Sequence, residues 1–91
     1  MALLKFSPEA DSFLTELEED PNYRGCAIKV NTALDRLEEN PGASENRRRR
    51  FQSVDLWGIS LRCRDKDLVI LWGYHLDEED TVIVHYIGPS P

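Results

Sequence analysis

The residues of this chain best suited to chemistry are arginines. Arg47, Arg48, Arg49 and Arg50 stand side by side in the stretch ENRRRRFQ, and Arg62 and Arg64 follow soon after. A guanidinium keeps its charge at any relevant pH and meets phosphate oxygens through parallel N–H donors, so such a set suits an anionic ligand. The plainer reading is that these arginines pair with acidic helices of the same chain or receive an acidic segment of a partner. His75 and His85 are the only histidines, and either can serve as an acid or base, although a structural or surface role is the commoner use. Asp77, Glu78, Glu79 and Asp80 lack the alternating ligands and the glycine of a calcium loop, and read as a solvated turn. Glycine-rich phosphate loops, HExxH, GxSxG and zinc-ligand spacings do not occur, so no metal or cofactor is implied.

Charge is spread unevenly. The net value is −6 and the sequence pI about 4.8. Residues 1–45 balance at −6, residues 46–66 at +5, and the remainder at −5. The basic block coincides with the arginines, while the field of the whole chain opposes approach of a polyanion.

The elements that must position these groups can be read from periodicity. Ser7 and Pro8 are an N-cap and a first helical residue. Ala10, Phe13, Leu14 and Leu17 then repeat on one helical face, until Asp20, Pro21 and Asn22 stop it. A second helix is expected over about 23–39, with Ala27, Val30, Leu34 and Leu37 on one face and Lys29, Asp35 and Arg36 mostly opposite. Asn40, Pro41 and Gly42 close it. Residues 56–64 alternate, with Trp57, Ile59, Leu61 and Cys63 on one side and Gly58, Ser60, Arg62 and Arg64 on the other, which is the pattern of a half-buried strand. Residues 64–67 form a tight turn, and 68–74 are apolar on both faces, as in a central strand. The last strand covers 81–88. Together with a short apolar strand at 2–6, the order is β-α-α-β-β-β. The expected fold is α+β, one domain over 1–91, with an antiparallel sheet carrying a two-helix hairpin on one face.

On this plan the loop of Arg47 to Arg50 leads through Phe51 into the strand whose polar side carries Arg62 and Arg64, so six guanidiniums border one open sheet surface. Trp57 is expected in the core, with Tyr74 and Tyr86 the better candidates for stacking on bases. Cys26 and Cys63 have no CxxC or metal spacing, and read as buried thiols in a chain without an export signal. The expected location is the cytoplasm, with no membrane-spanning segment.

The segments FSPEADSFLTEL, ALDRLEENPG, RRRRFQSVDLWGISLRCRDKDLVILWGYH and TVIVHYIG resemble the RelE/ParE-like toxins of bacterial type II toxin–antitoxin systems, in element order and hydrophobic rhythm over nearly the whole chain. The resemblance implies a small toxin neutralised by a cognate antitoxin. For ribosome-associated members it implies endoribonuclease action on messenger RNA, in which basic side chains stabilise charge developing at the scissile phosphate. For the ParE branch it implies poisoning of DNA gyrase without nuclease chemistry. Carried over by position, the basic residues before the first long strand match Arg47 to Arg50, with Arg49 or Arg50 foremost, and the one on that strand matches Arg62. With His85 as the acid/base group, the catalytic candidates are Arg50, Arg62 and His85, and the RNA- or anion-binding set is Arg47, Arg48, Arg49, Arg50, Arg62 and Arg64. The family's YR…Y pattern has no counterpart in the apolar strand at 68–72. Gly88 is followed by Pro89-Ser90-Pro91 rather than by the basic residue common there. Three readings result: a toxin nuclease, a binding module of the same family that acts on a protein target or only on its antitoxin, and a fold used for protein contact alone. Self-association is left open.

Overall fold

A computed structural model of the chain describes residues 2–43, 49–51, 56–64, 66–75, 77–78 and 80–90, with 49–51 described for their backbone only. Arg47 and Arg48 therefore lie outside the described residues. The observed order is β1 (Leu3–Phe6), α1 (Pro8–Glu19), a 3-10 turn (Pro21–Tyr23), α2 (Arg24–Glu39), β2 (Arg49–Phe51), β3 (Leu56–Cys63), β4 (Lys66–Tyr74) and β5 (Thr81–Pro89). It is an α+β domain in which the sheet runs β1-β5-β4-β3-β2.

Two features of the sheet differ from the sequence expectation. The sheet is mixed rather than antiparallel, because β1 pairs parallel with β5, Leu3 opposite Thr81 and Phe6 opposite Val84. Two helices and three antiparallel strands separate β1 from β5, and their successive reversals leave β1 and β5 running the same way, an arrangement that single-strand periodicity does not encode. The short strand β2 is also additional, pairing antiparallel with Leu56, Trp57 and Gly58.

The helices form where the sequence places them, for identifiable reasons. Ser7 accepts a hydrogen bond from the Ala10 amide at 3.1 Å, and its own hydroxyl donates to the His85 carbonyl at 2.8 Å, so the cap of α1 is also tied to β5. A cap of this kind contributes about 1 kcal/mol. Asp20 ends α1 and accepts from the Asn22 amide at 2.9 Å, turning the chain into α2. The buried stripes of the two helices, Ala10, Leu14 and Leu17 with Cys26, Ala27, Val30, Ala33, Leu34 and Leu37, pack on Ile59, Cys63, Leu68, Ile70, Trp72, Val82, Val84 and Ile87 of the sheet. Trp72 is fully buried and stacks on Trp57, their ring centres 6.5 Å apart. Val69, equally buried, stands outside this cluster. Apolar side chains on alternate positions of β4 thus serve both faces of the sheet, as a central strand requires.

Cys26 and Cys63 form a disulfide, with Cα atoms 5.4 Å apart. This corrects the reading of two separate buried thiols. Their positions, in the first turn of α2 and at the last residue of β3, converge because α2 lies along β3, a juxtaposition invisible in a separation of 37 residues. No helix among the described residues is long and apolar enough to cross a membrane.

Candidate functional site

The arginine-bearing end of the sheet is built from the β3–β4 hairpin. Arg62 is paired with Asp67 across the two strands, and its Nε lies 3.9 Å from the Asp67 carboxylate. Both side chains are largely exposed, so the contact is weak and heavily screened. The Lys29 ammonium reaches from α2 to donate to the Arg62 carbonyl at 2.8 Å. A shallow cavity of about 320 Å³ adjoins Arg62, lined also by Ser60, Asp67, Leu68 and Ser90.

Arg64 goes elsewhere. The strand ends at Cys63, and Arg64 occupies the turn with a left-handed φ of 57°. That backbone rotation breaks the alternation that would have placed it beside Arg62. Its guanidinium donates to the Asn22 carbonyl at 2.7 Å and lies 5.9 Å from the centre of the Tyr23 ring. Lys66 covers the same ring at 4.4 Å. Arg64 thus fastens the hairpin to the helical layer, where the sequence reading had put it on the open sheet surface.

The backbone stations of the other described candidates stand apart from Arg62. Arg49 pairs through its backbone with Gly58, and Arg50 with Trp57. At ~3.3 Å per strand residue, the Arg49 and Arg50 stations are about 13 and 16 Å along β3 from that of Arg62. Arg50 shares the register position of Trp57, the opposite parity from Arg62. His85 is exposed and falls at an irregularity of β5, where Val84 pairs with Trp72 and Tyr86 with Leu71. That level matches Gly58 on β3, two strands across, which puts the His85 backbone about 16 Å from that of Arg62 by the same spacing and ~4.8 Å between strands.

The aromatic candidates have structural employment. The Tyr86 hydroxyl donates to the Pro89 carbonyl at 3.1 Å. Its ring lies over Gly88, where an added Cβ would come within 2.6 Å of the hydroxyl oxygen. Tyr74 is half exposed and meets Trp72 edge-on, with centroids 5.5 Å apart.

At the other end of the sheet, the His75 Nδ1 accepts from the amides of Asp77 and Glu78, each at 3.1 Å. Glu78 pairs with Lys5 of β1 at 2.9 Å. The hydrogen bond and charge of Lys5, the larger causes, together with His75 and Thr81, hold the Glu78 carboxyl below its ordinary range. These residues organise a turn. Among the described residues no group of His, Cys, Asp and Glu is arranged to hold a metal ion. Comparison with known proteins finds no matching family, no similar characterised protein and no similar solved structure.

A groove on the outer side of β3 was not foreseen from sequence. It runs between α2 and β3, has a volume of about 350 Å³, and is lined by Ile28, Lys29, Ala33, Arg36, Leu61 and Arg62 among others. Ile28 is 62% exposed, on a helix whose other large apolar residues are buried. The signal in the sequence was Ile28 itself, an apolar residue off the periodic stripe.

Proposed function

We propose that the chain is a RelE/ParE-like module of a toxin–antitoxin pair that acts by binding protein, without cleaving RNA. The element order supports the likeness: a strand, a helical hairpin packed on one sheet face, then antiparallel strands. The observation that carries the choice of binding over cleavage is the scatter, among the described residues, of groups a nuclease would bring together. Arg62 stands at the hairpin end beside Asp67, Arg64 is bound to Asn22, and His85 lies about 16 Å away by strand spacing. General acid–base transfer needs heavy atoms within about 3 Å of the proton in flight, and stabilisation of a phosphorane needs donors preorganised around one position. The acidic net charge of −6 also opposes entry into a phosphate-rich particle.

The test is a cell-free translation reaction supplied with the purified chain. Messages are expected to stay intact and translation to continue, while the product of an adjoining reading frame forms a stable complex with the chain. Cuts within translated codons, abolished by Arg62→Ala or His85→Ala, would replace this reading by the nuclease one.

A further inference from the structure

We infer that the groove between α2 and β3 is a docking site for a short acidic, amphipathic segment of a partner protein. This rests on reading the chain as a binding module, and adds the place and the chemistry of its contact. The floor is apolar, made by Ala33 and Leu61, with Ile28 standing exposed at its side. Around it are Lys29, Arg36 and Arg62, and among the described residues no carboxylate lines the groove. In a chain of net charge −6, Lys29 and Arg62 beside an apolar floor, with no carboxylate among the described lining residues, are a local reversal of the field. The Lys29 ammonium is held over the groove by the Arg62 carbonyl, an acceptor that leaves its charge in place. Among the described residues the Arg62 guanidinium meets the exposed Asp67 carboxylate at 3.9 Å, a contact that a bound carboxylate can displace at small cost.

The occupant follows from that combination. An apolar side chain inserted between Ile28 and Leu61 removes surface from water, and carboxylates on either side of it meet the cations. A sugar–phosphate backbone offers the charge but nothing to cover Ile28. It also carries one charge per nucleotide against the repulsion of the whole chain, whereas a peptide needs only two or three carboxylates placed locally.

Binding of a fluorescent synthetic peptide of leucine and glutamate at helical spacing tests this on the full chain. A counterpart with lysine in place of glutamate and a single-stranded uridine oligonucleotide serve as alternatives. Saturable binding of the acidic peptide is expected, tighter at low salt, with amide shifts at Ile28, Ala33 and Leu61. Ile28→Asp and Arg62→Glu, both at exposed positions, should each weaken it about tenfold or more, with an unchanged circular dichroism spectrum. Absence of saturable binding, equal binding of the lysine peptide, or occupation of the groove by the oligonucleotide instead would overturn the inference. Acidic-peptide binding untouched by both substitutions overturns the groove and leaves the binding-module reading standing. Message cleavage alongside groove-dependent binding does the reverse.

Discussion

The turn between β3 and β4 and the turn between β4 and β5 solve the same problem with different physics. Each contains a non-glycine residue in the left-handed region, Arg64 at 57° in the β3–β4 turn and Asp80 at 55° before β5. Each is fastened to an element distant in sequence. The β3–β4 turn is held by the Cys26–Cys63 disulfide, by the Arg64 contact to Asn22, and by Arg64 and Lys66 against the Tyr23 ring. The turn before β5 is held by Lys5–Glu78 and by His75 accepting from two turn amides. One attachment is covalent and cation–π, and insensitive to moderate acid. The other is an exposed ion pair, and weakens with acid and salt. Two arginines read from sequence as one ligand site therefore do different jobs: Arg64, together with Lys66, secures the fold, and Arg62 faces outward.

The largest effect should come from breaking the covalent attachment. Replacing both cysteines by alanine, or reducing them, should lower stability by about 4 kcal/mol on the chain-entropy account of a loop this long, read from urea unfolding with and without reductant. A loss close to zero would mean that the α2–β3 contact stands without the bond, and the two ends would then be alike. Tyr23→Ala removes the ring under Lys66 and Arg64 together with its own packing, and should cost about 2 kcal/mol. Tyr23→Phe keeps the ring face, and should cost much less in the same unfolding assay.

The acid-sensitive end gives a smaller, pH-shaped effect. Because Lys5 lowers the Glu78 pKa in the folded chain, that pairing stabilises the fold above the ordinary carboxylate value of about 4.3. The contribution is lost as pH falls through the lower folded value. Melting temperature measured against pH should fall less steeply there for Glu78→Gln than for the parent. Equal slopes would remove Glu78 from the comparison. Smallest of all is the pair of glycine substitutions. Asp80→Gly should raise stability by less than about 1 kcal/mol, since glycine adopts positive φ freely. Arg64→Gly gains the same relief but loses the Asn22 hydrogen bond, and calorimetry should show it no more stable than the parent.

Much of the scaffold was legible because local rules were obeyed. Ser7-Pro8 opens α1, the 3.6-residue stripes bury on the sheet, and Trp57, Ile59 and Cys63 share the core side of β3. The arginine site was less legible. Alternation predicted Arg62 on the outward side, but its extension to Arg64 failed where the chain left extended geometry. Stations on β2 and β5 depend on which strands pair and in what register, and no single strand carries that information.

The sequence by itself determined the helical hairpin, the central apolar strand, the block of positive charge and the absence of familiar catalytic motifs, because each rests on residues close along the chain. Only the tertiary structure decided that β1 runs parallel to β5, that Cys26 meets Cys63, that Arg64 turns to the helices while Arg62 does not, and that Ile28 stands over a cationic groove. The disulfide and the groove depend on how α2 lies against β3, and packing between distant segments is set by the sum of many buried contacts rather than by any local pattern.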